Sequence, residues 1–446
     1  MKKLERSLSL PYVIAISIGG MLGSGIFVLP GLASSITGPS VWLAYLLGAI
    51  CVLPAALSKS ELATAMPSSG GTYVYIERAF GPLFGTISGI GLWLSLLLKS
   101  SFALIGLSAY LSVLIKIDSA IAQLVAIGFL ILILLLNIFG VKKVGKVQLL
   151  IVSISLVGLG VLFFIGFPRI NPDFLTPFIS EGNAGLISAV AFVYISYSGV
   201  IKVAAIAGEI KNPSKNLPLA MILSLLSITA IYVFTAFILV GNISPESLGA
   251  DLKPIHTLAY VLGGKYFGYA AAVVGVLTLM SGANSGVLAS SRFPFAMARD
   301  LLMPTVFSKI HSKHLTPVVA ILFTGFLMAL VILFLDVVKI AKLASAFMVM
   351  MFIAVNFCVI ILRETSAQWY KPTYKSPLDP FLQVFGIVSG FVLLLLLGWL
   401  PLASVAVVFV LGFLVYLFIG KNATRTGVLT NYGHIPALFL SVSYTH

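Results

Sequence analysis

The strongest constraint on this chain is a succession of apolar runs, each roughly 17 to 25 residues long, separated by short polar connections. Runs of that length match the ~30 Å hydrocarbon core of a bilayer. Lipid offers no hydrogen-bond partner to a backbone group, so such runs must be helices or the strands of a closed barrel. Leu124 to Leu136 is continuous in Leu, Ile, Val and Phe with no strand alternation, which selects helices. Composition agrees: 60% hydrophobic residues, 9% charged and a mean hydropathy of +1.12 leave too little polar surface for a water-soluble domain.

Hydropathy places about twelve spans, near 11–35, 40–64, 83–114, 120–139, 146–167, 184–208, 217–241, 266–297, 316–335, 340–362, 381–399 and 401–420. Gly70 to Gly81 is too short and mixed to cross, and should lie along the interface as an amphipathic helix. The start MKKLER before an apolar run imitates a signal peptide, but Gly23-Ser24-Gly25 and Pro30 interrupt the stretch that should be continuous, so an uncleaved first span is expected. The net charge of +14 would suit nucleic acid if it were clustered; instead the basic residues sit in short loops. With the N-terminus in the cytoplasm they are roughly three times more frequent inside than outside, which puts both termini inside. That accounting puts Lys59, Arg78 and Arg363 on the inner side and leaves no acid deep in a span. Cys51 and Cys358 fall in apolar segments and should be reduced thiols. The histidines show no metal-ligand spacing, and no nucleophile set or phosphate loop stands out.

Two spans are interrupted. The first carries Gly19, Gly20, Gly23 and Gly25 at mid-span, where each glycine costs a helix about 1 kcal/mol relative to alanine. The sixth carries Ile195-Ser196-Tyr197-Ser198-Gly199. Glycines can also serve close helix packing. Unwound backbone at membrane depth, however, is tolerated where it is buried in protein or lines a cavity. A half-helix that starts there turns free N–H groups toward a carboxylate, and one that ends there turns carbonyls toward an ammonium or a cation. Breaks in spans one and six suit inverted repeats, since five spans is an odd number. Residues 11–167 would form the first repeat, 184–362 the second, 381–420 two extra helices and 421–446 a cytoplasmic tail.

Gly23-Ser24-Gly25-Ile26-Phe27, Pro67 to Tyr75 with Ala79-Phe80-Gly81-Pro82, Glu209-Ile210-Lys211-Asn212-Pro213 with Pro218, and Ser290-Ser291-Arg292 with Ala296 to Asp300 run in one order through residues 1–304. In these motifs the chain resembles the amino acid–polyamine–organocation transporter superfamily. The resemblance implies an all-α polytopic membrane fold, a five-plus-five inverted repeat of the leucine-transporter type with helices 1 and 6 broken. It further implies secondary active transport of an amino acid by alternating access in a plasma or inner membrane. Carried over by position, the Ser24 and Gly25 amides after Gly23 would hold the substrate carboxylate. The carbonyls of Met21, Ile195 and Ser198 would hold its amino group, with Ser196 and Tyr197 shaping the pocket. The acid that many relatives carry after the span-six glycine is absent, Ile201 and Lys202 standing there. Ser155 occupies the place of a span-five lysine of proton-coupled relatives.

Coupling candidates follow. Lys99 lies ~23 Å from either end of its span, too far to reach an interface, and a lysine at the bilayer centre costs roughly 2.5–3.5 kcal/mol. A functional role, by proton exchange or substrate contact, is the first expectation; a structural bond to helix-break carbonyls is the alternative. Lys202, seven residues before Glu209, reads as a snorkelling or gating residue. Ser155, Ser281 and Ser285 resemble the hydroxyls that hold sodium in related transporters. Proton coupling is expected, with sodium coupling or exchange as the rival. A neutral substrate is expected because a cationic side chain would meet two lysines and no intramembrane acid. An amino-acid sensor on the same scaffold, and a membrane-embedded enzyme, are the other readings. No cofactor beyond a coupling ion, no nucleic acid and no resident metal is expected.

Overall fold

The computed structural model describes residues 8–66, 71–115, 118–139, 144–200, 203, 210–311, 316–366 and 368–420. Among them the protein is all-helical apart from one isolated backbone bridge between Leu8 and Ile210. In chain order the helices are α1 (Leu10–Met21), α2 (Ser24–Phe27), α3 (Leu29–Thr37), α4 (Val41–Ala65), α5 (Thr72–Phe80), α6 (Pro82–Leu114), α7 (Ser119–Phe139) and α8 (Val144–Gly166). Then come α9 (Gly182–Val193), a 3-10 segment (Tyr194–Ser198), α10 (Pro213–Asn242), α11 (Pro254–Arg299), α12 (Val318–Phe334), α13 (Val337–Glu364), α14 (Phe381–Leu396) and α15 (Trp399–Phe418). Among the described residues eight helical stretches are long and apolar enough to cross a membrane, and α1, α12 and α14 are shorter apolar helices. The chain is therefore a multi-spanning α-helical membrane protein.

The packing follows the distribution of apolar residues. Helix α6 is hydrophobic all round, as a helix enclosed on every side must be, and it packs against α11, α13, α15, α7, α12 and α5. Small residues let the α6–α11 crossing close: a Cβ on Gly286 would sit 1.9 Å from Ser100 Oγ. Helices α7, α8, α14 and α15 instead expose Leu, Val and Phe side chains such as Leu124, Phe164, Phe391 and Leu414. In a bilayer those faces meet lipid.

The helix ends carry corrections. The stretch α11 is two helices joined at Gly264, whose φ of +75° favours glycine, so its long part starts just after Gly264, in keeping with a span near 266–297. Helix α5 exists, but Arg78 is its only exposed residue, so it is packed into the protein rather than laid along its surface. Two residues assigned to the inner side, Lys59 and Arg363, lie on α4 and α13, and Lys59 is fully buried. No acid was expected deep in a span; Glu61, four residues from the end of α4, and Glu77 on the short α5 are nevertheless buried. Cys51 and Cys358 are free thiols, as expected.

Candidate functional site

The first interruption follows from the glycine cluster. Helix α1 stops at Met21, the Leu22 N–H bonds back to the Ile18 carbonyl at 2.7 Å, and Gly23 adopts φ +135°. That conformation is strained for any residue with a Cβ. Helix α2 then starts at Ser24, so the N–H groups of Ser24 and Gly25 have no helical acceptor. The second interruption lies where α9 tightens into the 3-10 segment Tyr194–Ser198, whose five residues are all buried.

Side chains from four other helices hold the two breaks together. Tyr232 on α10 donates its hydroxyl to the Met21 carbonyl at 2.7 Å and lies 3.2 Å from that of Ser196, touching both breaks. Tyr45 on α4 donates to the Gly25 carbonyl at 2.6 Å, and Tyr197 donates to the Tyr45 carbonyl at 2.7 Å. Tyr110 on α6 donates to the Phe27 carbonyl at 2.7 Å. Ser345 on α13 donates to the Phe192 carbonyl at 2.8 Å and accepts from the Ile195 N–H at 3.3 Å. Each interruption frees backbone groups that a low-dielectric interior leaves costly unless paired. The tyrosines meet that need from a distance, being both apolar and able to donate.

Lys99 reaches the same place. Its Nζ donates to the Gly20 carbonyl at 3.1 Å and to Ser198 Oγ at 2.5 Å, one acceptor on each broken segment. Around it Gly20, Leu22, Gly23, Ser24, Ser198 and Gly282 help line a cavity with about 20 Å³ of free space. That is room for about one water and not for an amino acid, so the arrangement is a closed one.

The predicted substrate residues Met21, Gly23, Ser24, Gly25, Ile195, Ser196, Tyr197 and Ser198 all belong to the two interruptions, with Lys99 between them. The three proposed sodium hydroxyls are less simply arranged. Ser155 Oγ lies 2.6 Å from Thr278 Oγ1, a partner the sequence reading missed. Thr278 is three residues before Ser281 and seven before Ser285 on α11, so the three share one helix face. Lys202 lies outside the described residues. Tyr45, Tyr110 and Tyr232 were also missed; their signal was a hydroxyl inside an apolar run, as in Ile231-Tyr232-Val233, which obliges a buried partner.

A second polar cluster joins α4 to the end of α13 and the segment after it. The Glu61 carboxylate accepts from Arg363 Nε at 2.8 Å and from its NH2 nitrogen at 2.5 Å. It also accepts from Tyr370 Oη at 2.8 Å, the Ser376 N–H at 2.7 Å and Ser376 Oγ at 2.8 Å. Arg363 also pairs with Asp379 at 2.9 Å. Burial, and then the Glu61 charge, push the Tyr370 hydroxyl above its usual range, so it keeps its proton and donates.

Comparison with known proteins gives the geometry a context. A family model described as amino acid permease matches residues 8–441. The chain is 30% identical to the branched-chain amino acid permease BcaP of Bacillus subtilis, over 95% of each chain. It is 29% identical to the serine/threonine exchanger SteT of the same organism, over 88% of this chain and 91% of that one. It is 27% identical to the vacuolar cationic amino acid transporter 4 of Arabidopsis thaliana, over 81% of this chain and 64% of that one.

Proposed function

We propose, since the chain belongs to the amino acid permease family and is therefore a membrane transporter of amino acids, that its substrate is a neutral amino acid. Transport runs by alternating access around the two helix breaks, in a cell membrane, with both termini cytoplasmic. The underlying frame is a five-plus-five inverted repeat with two further spans. The Ser24 and Gly25 amides take the carboxylate at the start of α2, where free N–H groups and the helix dipole favour an anion. Carbonyls at the ends of the broken segments take the amino group.

The observation that carries this reading is Lys99, whose Nζ is hydrogen-bonded to Gly20 on one break and Ser198 on the other. A cation already tied between the breaks disfavours a second one nearby, and unpaired buried charge is costly. Names of relatives point to neutral and to cationic substrates; the lysine argues for the neutral class. The same contacts support Lys99 as the coupling group. Protonated, it bridges the two breaks and holds them closed. Neutral, it donates more weakly and lets them part, so a proton moves with each cycle.

Sodium coupling is the second reading, supported by the Ser155–Thr278 hydroxyl pair on the face that carries Ser281 and Ser285. Purified protein in liposomes, offered labelled leucine, serine, threonine and arginine under separate proton and sodium gradients, tests both. Preferential uptake of arginine would overturn the neutral assignment, and uptake driven by sodium alone would overturn the proton scheme.

A further inference from the structure

Lys59 lies six residues before the end of α4 and is 0% exposed. Among the described residues its Nζ has no hydrogen-bond acceptor, and the face of Phe352 on α13 covers it with the ring centroid 4.0 Å away. Glu61 does not serve as a counter-ion. It is two residues on, about 200° round the helix, and its oxygens are taken by Arg363, Tyr370 and Ser376.

Among the described residues the helices packed against α4 bring no buried carboxylate. The segment after α13, which meets α4 at Glu61, brings Tyr370, Lys371, Tyr374, Lys375 and Asp379, the last paired with Arg363. Among the described residues, α10 carries Lys215 and Tyr232, and the 3-10 segment carries Tyr194 and Tyr197. Helix α13 carries Lys339, Lys342, Cys358, Arg363 and Glu364; α3, α9 and α14 carry no titratable side chain. Helix α4 itself adds Tyr45, Cys51 and Glu61. Tyr45, Tyr194, Tyr197 and Tyr232 donate their hydroxyls to backbone carbonyls. Glu364, the last residue of α13, is exposed.

An ammonium sealed from water without a counter-ion is unfavourable, and an aromatic face offsets only part of that. A neutral amine suits the seat. Phe352 has a second contact: its ring meets the Tyr194 ring edge-on, centroids 5.5 Å apart, and Tyr194 opens the second helix break. One aromatic wall thus separates Lys59 from the break.

We propose that Lys59 is a second proton-binding group of the transport cycle, holding a neutral amine while Phe352 covers it. When the break and α13 move apart, water reaches the amine and it takes a proton, which it returns as the wall closes. The lone pair of Nζ forms the new N–H bond and hydronium becomes water. This rests on the transport reading for the opening and closing, and is independent of the role of Lys99.

The test uses the full-length protein in liposomes. Exchange of labelled leucine is measured from pH 5 to 9, equal on both sides, in the wild type, Lys59→Met, Lys59→Arg and Lys99→Gln. The expected result is a pH step in the wild type that survives Lys99→Gln in part and shrinks at least threefold in both Lys59 variants. Superposable profiles for the wild type and Lys59→Met would overturn the inference while leaving the Lys99 scheme intact. Should the Lys59 variants not assemble, or leucine not be exchanged, acetylation of Lys59 by acetic anhydride, read by mass spectrometry of its peptide, decides. Phe352→Ala should raise it at least fivefold at constant pH; equal labelling with and without the ring would overturn the proposal.

Discussion

Replacing Gly199 by alanine should drive the two helix breaks apart. Gly199 follows the 3-10 segment with φ −60° and ψ −24°, a helical conformation that alanine adopts freely. Backbone conformation alone would then favour the variant by about 0.4–1 kcal/mol, through a less disordered unfolded chain. Space argues the other way. A Cβ there would lie 2.4 Å from Met21 Cγ, 2.6 Å from the Ser17 carbonyl oxygen and 2.9 Å from the Met21 nitrogen. The Met21 side chain can swing aside, but the other two atoms are backbone of α1. Ordinary contact begins near 3.4 Å, so α1 and the second break must separate by about 0.8 Å. Overpacking of this kind costs roughly 1–3 kcal/mol, which exceeds the conformational gain. The net destabilisation should be about 1–2 kcal/mol, and substrate affinity should fall, because the parted breaks carry the two ends of the site. Thermal unfolding of purified protein and equilibrium binding of labelled leucine read the two effects. A variant that melts at or above the wild-type temperature and binds normally would show that the breaks are not in contact, and would refute the packing argument.

Gly25→Val should abolish binding while the protein still inserts, because a Cβ there meets Tyr232 Oη at 2.8 Å and Ser196 Cβ at 3.0 Å; binding after confirmed membrane insertion checks it. Tyr232→Phe removes the donor to the Met21 carbonyl and should cost about 1–3 kcal/mol in thermal stability. Glu61→Gln should destabilise by about 3 kcal/mol, the low end for a broken buried pair, because Arg363 keeps Asp379; unchanged melting would count against the cluster as a clamp. Lys99→Gln should leave binding largely intact and make uptake insensitive to a proton gradient, and Lys99→Arg, which cannot deprotonate, should stall transport in one state.

Much of this was legible before any coordinates. Helices follow from run length and the backbone's need for internal hydrogen bonds, and the break at Gly23 follows from four glycines in a row of seven positions. Lys99 was legible because its distance from either helix end left it nowhere to hide. What escaped was partnership across the chain. Tyr45, Tyr110 and Tyr232 announce a buried hydroxyl but not which carbonyl will receive it. Thr278, rather than another serine, meets Ser155 because of how α8 crosses α11, a matter of packing angle and not of spacing. Lys59 reads from the sequence as one more inner-side charge, and nothing there singles out Glu61. The Phe352 ring of α13 covers Lys59, while Arg363 at the end of α13 and the segment after it enclose Glu61, and only the three-dimensional arrangement supplies these partners.

The central claim is that Lys99, tied between the two breaks, couples protons to the movement of a neutral amino acid. Uptake of labelled leucine into liposomes under an imposed inward proton gradient, compared between wild type and Lys99→Gln, tests it most directly. The account predicts accumulation that follows the proton gradient in the wild type and only gradient-independent equilibration in the variant. Uptake that follows sodium, ignores pH from 5 to 8 and persists in Lys99→Gln would contradict it.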